Sequence, residues 1–424
     1  MAWHRFTHEA FACVEDQAMA IFADDHLEFV SLMLALDGRA RRVLLLPSGQ
    51  HVDRLRSLLQ ASGIESIVRL RNPGRREMLA TTWIDAPSPA AFGRADDQLA
   101  NTQDCQRDPS HTIETEWVIP TSGTTGEAKL ANHTLASLTR TCKTDVTTGN
   151  QFRWGSLYSL GSFAGVQVFL QALLSASTLV ITEDEQGFGE RIKTLVRSGC
   201  NALSATASLW RMLLMSDQCD DFKLRQITLG GEICDQGLLD RLAQQFPEAR
   251  VTQIYASTEA GVGFAVQDKL AGFPSSYLEH CPGGVRLAIS EHDTLLISPN
   301  DAAIGQWIDS DDLVALQGDR VTFQGRRGGD INVGGKKVLP HIVEAALLSV
   351  DGIEMARAYA KQNAFSGQVV AAEVVTACEF VGDSEGIILS AMKACRRLLA
   401  PHQVPVAIDL VDSIPISPNG KTLR

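Results

Sequence analysis

The sequence predicts an α/β protein. A large N-terminal domain of parallel-rich sheets with helices and a small β subdomain precedes a small α+β C-terminal domain. Three observations carry this. Through most of the chain, short apolar runs alternate with stretches of helical apolar spacing, the pattern of βα units. From Leu287 onward the runs become short and β-like: Thr294–Ile297, Leu313–Leu316, Val321–Phe323. After Gly325-Arg326-Arg327-Gly328-Gly329 the remaining 95 residues read as strand, helix, two strands, helix and closing strand, enough for a small domain. The expected division is 1–324 and 325–424.

Taken in order, Leu27–Leu36 has helical spacing, and Arg42–Pro47 is a buried strand bounded by proline. Val52–Ala61 is a helix and Ser66–Leu70 a strand, while 85–112 is polar, with Pro, Gly and Asp, and reads as a loop or a poorly ordered link. Trp117–Ile119 is a buried strand ended by Pro120. Leu135–Lys143 reads as a helix, Tyr158–Gly165 as a small-residue turn, Gln167–Leu174 as a helix and Thr178–Ile181 as a strand. The alternation continues through Ile192–Arg197, Ala202–Ala205, Ser208–Met215, Gln226–Leu229, Gly237–Gln245 and Val251–Ile254. In the last domain the helices are Pro340–Ser349 and Glu385–Leu399, and the paired strands are Ala356–Ala360 and Val369–Val375.

Composition narrows the function classes. The net charge is −12 with no Lys/Arg-rich run, which argues against nucleic acid as a partner. Nine scattered cysteines contain no C-x-x-C pair, as in a reduced cytoplasmic protein without a zinc site. The N-terminus shows no secretion signal. The most apolar span, Phe163–Ile181, is interrupted by Gln167 and Gln171 and suits a helix and a strand better than a membrane crossing.

The densest chemistry follows the strand at Trp117. Thr121, Ser122, Gly123, Thr124, Thr125 and Gly126 put four hydroxyls and two glycines in six residues, closed by Lys129. The glycines let backbone N–H groups converge, the hydroxyls add donors, and Lys129 supplies a mobile charge for phosphate oxygens. A polar surface turn would use the same residue types. Glu127-Ala128 after Gly126 excludes a Walker A loop.

Other candidates stand at strand ends, where ligands bind in α/β sheets. Gly230-Gly231 follows one strand and leaves bare backbone for a flat ligand, though glycine pairs usually just turn the chain. Tyr255 to Gly261 follows another and reads as a tight turn with an aromatic face, the Thr258 hydroxyl and the Glu259 carboxylate. A Thr-Glu pair beside a phosphate loop suits Mg²⁺, which takes one or two carboxylates plus phosphate oxygens. The acidic cluster of Trp307–Leu313, placed before a strand, reads equally as a ribose-diol acceptor or as a capped turn. Arg326 reads equally as a ligand contact or as an exposed turn cation, and Lys421 on its Asn-Gly turn is by itself a solvated tail residue.

The loop at Thr121 resembles the TSGTTG-x-P-K signature of the adenylate-forming enzymes, which include acyl- and aryl-CoA synthetases, luciferases and adenylation domains. Further matches follow in that family's order, from residue 117 to the end. Ser162, Phe163 and Gly165 occupy the place of its H-x-x-G acyl-pocket segment. Gly230-Gly231-Glu232 resembles the adenine-contacting G-G-A/E. Tyr255–Glu259 resembles Y-G-x-T-E, which implies adenine stacking by Tyr255, phosphate binding by Thr258 and Mg²⁺ binding by Glu259. Trp307–Leu313 resembles W-x-x-T-G-D-L, which makes Asp312 the ribose ligand. Arg326 falls in the hinge segment and would contact ribose or phosphate. Gly334-Gly335 falls in the loop that would line the thiol tunnel. Lys421 resembles the lysine of P-x-S/N-G-K, which catalyses adenylation.

The resemblance implies an ATP- and Mg²⁺-dependent acid–thiol ligase with a mobile C-terminal domain. It would activate a fatty, short acyl or aryl acid and transfer it to the phosphopantetheine of coenzyme A or a carrier protein. The alternatives are a stand-alone adenylation enzyme for an amino acid, a nucleotide-binding homologue without turnover, and a phosphotransferase. Departures are visible. The 116 residues before Trp117 are fewer than usual, which implies a reduced N-terminal region. Ala128 replaces the loop proline, Ser162 the pocket histidine, Ala256 a glycine beside the acyl pocket, and Ser310-Asp311 a Thr-Gly pair. The hinge falls at Gly328.

Overall fold

The computed structural model describes residues 16–22, 26–46, 52–70, 82–86, 113–120, 129–182, 186–258, 261–298, 306–363, 365–377, 384–417 and 419–423. The phosphate-loop residues Thr121–Gly126 and the carboxylate of Glu259 lie outside these residues. Within the described residues the protein is mixed α/β, with parallel-rich sheets followed by a β-rich C-terminal region.

The elements begin with strand β1 (Ala18–Ile21), helix α1 (His26–Leu36), β2 (Arg42–Leu45), α2 (Val52–Ser62), β3 (Ser66–Leu70), β4 (Thr82–Ala86), β5 (Glu116–Pro120) and β6 (Leu130–His133). Next come α3 (Leu135–Thr139), α4 (Val146–Gly149), β7 (Arg153–Ser156), α5 (Phe163–Leu174), β8 (Thr178–Ile181), α6 (Phe188–Arg197) and β9 (Ala202–Ala205). They continue with α7 (Ala207–Leu214), β10 (Gln226–Gly230), α8 (Gln236–Gln245), β11 (Arg250–Ser257) and β12 (Gly261–Val266). An antiparallel group follows: β13 (Phe273–Pro274), β14 (Arg286–Ile289), β15 (Thr294–Ser298), β16 (Ile308–Gln317) and β17 (Arg320–Arg326). The last elements are β18 (Ile331–Val333), β19 (Lys336–Val338), α9 (Pro340–Leu348), β20 (Ile353–Asn363), β21 (Gly367–Thr376), α10 (Ser384–Leu398) and β22 (Ile408–Leu410).

Two compact units contain them. The first comprises Met1–Asp145, Ser159–Ala176 and Glu183–Gln186. Its sheet has the order β4-β3-β1-β2-β5-β6, parallel except for the β5–β6 pair. One of its cores joins Ala20, Leu44 and Val118 of the sheet to Leu55, Leu58 and Leu59 of α2. Alternating βα segments give parallel strands because a right-handed crossover returns each strand to the same sheet edge.

The second unit comprises Val146–Tyr158, Ser177–Thr182 and Gly187–Arg424. It holds three sheets. The sheet β12-β11-β10-β9-β7-β8 is parallel apart from β12, and α6, α7 and α8 pack a core of leucines, isoleucines and Trp210 against it. The antiparallel sheet β13-β17-β16-β15-β14 encloses an aromatic core of Phe264, Phe273 and Phe323. The C-terminal sheet β19-β18-β21-β20, with β22 on β21, is covered by α9 and α10. Glu344 of α9 is buried there, and its Oε1 accepts from the Ala358 N–H at 3.0 Å.

Several expectations need correction. The helix expected over Leu135–Lys143 ends at Thr139, because the segment gives only one buried leucine to pack. The expected turn at Tyr158–Gly165 closes into α5 from Phe163, with Ser162 as its cap. The polar region 85–112 begins inside β4, whose last residues are Asp85 and Ala86. The strand at Val251 runs on through Ser257, so Tyr255 sits in the strand, paired with Phe264, and not on a turn. The acidic cluster Asp309–Asp312 also lies within a strand, β16. There Asp311 takes φ +61°, a conformation that short polar side chains tolerate.

Candidate active site

In the second unit β7, β9, β10 and β11 run parallel, so their carboxyl ends share one edge. The sequence places Tyr158, Thr206, Gly231-Glu232 and Thr258 just beyond those ends. Tyr158 is buried, and burial raises the phenol pKa well above its ordinary value, with Ser204 opposing the rise. Thr206 caps α7, its hydroxyl accepting from the Leu209 N–H at 3.2 Å.

The C-terminal turn meets this edge. Gly420 adopts φ +73° and is buried against Leu209; a Cβ there would fall 2.4 Å from Leu209 Cδ1. Only glycine suits that approach and that backbone. The Thr206 hydroxyl donates to the Gly420 carbonyl, and Ser208 Oγ lies 2.8 Å from Thr422 Oγ1. Between these ties stands Lys421. Its Cε lies 3.3 Å, and its Nζ 3.9 Å, from the position a Cβ on Gly231 would take. Bare backbone at Gly231, with φ +82°, therefore leaves room for the lysine arm.

Asp312 stands opposite Arg326 on the β16–β17 ladder. Its Oδ2 accepts from the Tyr255 hydroxyl at 2.6 Å. Burial raises the Asp312 pKa above the ordinary carboxylate range, while the Tyr255 hydrogen bond and the charges of Arg326 and Lys421 oppose that rise. Tyr255 itself is raised, first by burial and then by the Asp312 charge. The Tyr255 ring is stacked on Phe264 (5.2 Å) and on Phe323 (5.1 Å), an aromatic group built by two sheets. Thus Gly231, Lys421, Asp312, Arg326 and Tyr255 form one neighbourhood.

The other candidates lie elsewhere. Lys129 is exposed just before β6, in the first unit. Ser162 is buried, donating to the Ser159 carbonyl at 2.7 Å and accepting from the Gly165 N–H at 3.2 Å. Phe163 packs on His133 with ring centroids 5.4 Å apart. Gly165 is closely packed, since a Cβ would fall 2.1 Å from the Ser159 carbonyl oxygen. Ala256 lies beside the β-bulge of β11, and Thr258 follows that strand. Gly334 and Gly335 form the exposed β18–β19 turn, held by Ser366 and Asn332. Gly230 ends β10. Arg327, which the sequence reading did not single out, pairs with Asp309 at 3.0 Å and with Asp311. Among the described residues, no group of three metal-ligating side chains occurs.

Family models match this chain along most of its length: the AMP-binding enzyme model over residues 13–304, and the AMP-binding enzyme C-terminal domain over residues 342–421. The chain belongs to the AMP-binding enzyme family. It is 25% identical over 396 residues to the non-ribosomal peptide synthetase CmlP of Streptomyces venezuelae, covering 85% of this chain and 38% of that protein. It is 23% identical to a 2-succinylbenzoate–CoA ligase of Listeria innocua, covering 72% of this chain and 68% of that protein. The matches span 38% of CmlP, 45% of the long chain fatty acid–CoA ligase VraA and 9% of gramicidin S synthase 2, so less than half the length of each of these curated relatives is covered. The fold matches the anthranilate CoA ligase AuaEII in complex with anthranoyl-AMP at TM-score 0.76 and 14% identity, over 99% of this chain and 89% of that one. It also matches ATP-bound MatB from Rhodopseudomonas palustris at TM-score 0.76 and 16% identity, over 99% and 90%.

Proposed function

We propose that this protein is an ATP-dependent acid–thiol ligase that makes an acyl-AMP and passes the acyl group to a phosphopantetheine thiol. The observation that carries this reading is the seat of Lys421, against the bare backbone of Gly231 and within the field of Asp312. A cation held beside a ribose-binding carboxylate suits an α-phosphate that gains negative charge during transfer.

In the first step a carboxylate oxygen attacks the α-phosphorus of ATP. The bond from that phosphorus to the bridging oxygen breaks, and pyrophosphate leaves. Asp312 would hold the ribose diol, Arg326 would contact ribose or phosphate, and Lys421 would span the carboxylate and the α-phosphate. The Thr121–Gly126 loop with Lys129 would hold the departing phosphates. Glu259, which follows Thr258 in the sequence, would hold Mg²⁺, which neutralises phosphate charge. A thiolate then attacks the acyl carbon and AMP leaves. For that step, residues 325–424 would turn about Gly328, removing Lys421 and presenting Gly334-Gly335 to the thiol.

The test is carboxylate-dependent exchange of pyrophosphate into ATP, over fatty, short acyl, aryl and amino acids. One class should support exchange with AMP as product; ADP as product would sink the proposal. Lys421→Ala should lower exchange by roughly a hundredfold or more, as expected for losing a transition-state charge, while thioester formation from supplied acyl-AMP persists. Unchanged exchange would remove Lys421 from its role. Similarity to CmlP favours a second reading, adenylation of an amino acid for a carrier-protein thiol. The amino acids of the panel decide between the two.

A further inference from the structure

Glu232 makes contacts that an adenine-binding role leaves unexplained. Its Oε2 accepts from the Ser208 N–H at 2.8 Å, and its Oε1 accepts from the Thr422 N–H at 2.8 Å. Ser208 is the second residue of α7, so its N–H is one of those a helix cannot pair internally. Thr422 directly follows Lys421, and its N–H points away from the turn's own bonds, which run from Ser417 to Lys421 and from Leu423 to Pro415. One carboxylate therefore joins a helix N-terminus in the ATP-binding region to the backbone beside the lysine.

We propose that Glu232 is a positioning residue: its carboxylate clamps the Lys421 turn to the first turn of α7, and this clamp holds Lys421 ready for adenylation. The proposal rests on the adenylation reading above. The chemistry favours a carboxylate at this place. It accepts at both oxygens without a donor to misplace, and its charge is stabilised by the positive end of α7. The clamp sits between two weaker ties, Thr206 to the Gly420 carbonyl and Ser208 to the Thr422 hydroxyl, so both flanks of Lys421 are fixed. Release needs no rearrangement of the α7 end, because the Glu232–Ser208 bond survives when Thr422 departs. The clamp thus opposes the swing of the C-terminal turn by one charge-assisted hydrogen bond, strong enough to position and weak enough to open.

The experiment compares the full-length wild type with Glu232→Gln, whose side chain accepts at one atom only, and with Glu232→Asp, which keeps the charge but shortens the reach. Hydrogen exchange in peptides covering 414–423 should speed up about tenfold or more in both variants, as expected for losing a charge-assisted bond. Peptides from β10 should exchange as in the wild type. In pyrophosphate exchange, kcat should fall roughly ten- to a hundredfold with the ATP KM unchanged, and Glu232→Gln should add nothing to Lys421→Ala. Unchanged exchange at 414–423 overturns the clamp. A raised ATP KM with normal kcat also overturns it, in favour of an adenine contact. If the wild type supports no pyrophosphate exchange with any acid, the proposed function fails, and the amide-exchange comparison still decides the clamp.

Discussion

At the scale of single residues, Asp312, the proposed ribose ligand, is a carboxylate kept in an awkward state. Its carboxylate is largely buried, which raises its pKa, and the Tyr255 hydroxyl, Arg326 and Lys421 only partly offset this. A raised pKa in the folded state means the fold binds this proton more tightly than the unfolded chain does. The resulting stabilisation is complete below the ordinary value of 3.8 and lost as pH rises through the folded pKa. Asp312→Asn carries no charge and still offers an oxygen to Tyr255. Its melting temperature should therefore match or exceed that of the wild type near neutral pH. The wild type should gain on it as the pH falls toward about 4. On the proposed function the ATP KM should rise at every pH, because the acceptor proposed for the ribose diol is weakened. A variant less stable than the wild type at neutral pH, with the gap closing on acidification, would show that the charge stabilises the fold.

At the scale of elements, helix ends decide more than helix middles. The start of α5 depends on Ser162, whose hydroxyl bonds the Gly165 N–H and the Ser159 carbonyl. Ser162→Ala should cost about 1 kcal/mol in denaturant titration, the usual cost of a lost N-cap. Gly165→Ala should cost more, since its Cβ would meet the Ser159 carbonyl oxygen at 2.1 Å and backbone must move. A fully stable Ser162→Ala with an altered acid profile would instead give that hydroxyl to a substrate pocket. Helix α7 works at both its end and its side. Its N-terminus holds the Lys421 turn, while Met212, and Met215 just beyond its end, pack on Met355, Val375 and Ile414.

At the scale of the whole molecule, that packing and a set of charges dock the C-terminal sheet against α7 and α8 within the second unit. Arg211 pairs with Asp235 and also donates to the Glu354 carbonyl at 3.2 Å, and Arg241 pairs with the Glu354 carboxylate. The Arg241 side chain is 37% exposed, so this ion pair is of the partly screened kind. Glu354→Ala should lower pyrophosphate exchange by roughly two- to fivefold at low salt, with a smaller difference at high salt. Exchange rates at two ionic strengths check this. A salt-independent loss would mean that the residue acts through packing.

Much of this was legible in the sequence because its signals are local. The apolar runs at Thr178–Ile181 and Ala202–Ala205 gave strands with those bounds, and the C-terminal order of strands and helices follows the expected one except that two strands, β18 and β19, stand where one was expected. Periodicity and turn residues carry such information within a few residues. The motif at Gly230-Gly231-Glu232 was visible too, but not what Glu232 holds. Its partners lie 24 and 190 residues away, and no local pattern joins Ser208, Glu232 and Thr422. Thr206 caps α7 and Ser208 lies in its first turn, and their contacts with Gly420 and Thr422 likewise join positions more than 200 residues apart. The sequence alone determined most of the order and kind of the elements and the candidate residues for phosphate, ribose and carboxylate. The tertiary structure decided which of them meet. Parallel strands gathered their carboxyl ends on one edge, and a backbone N–H beside Lys421 found there the carboxylate that fixes it.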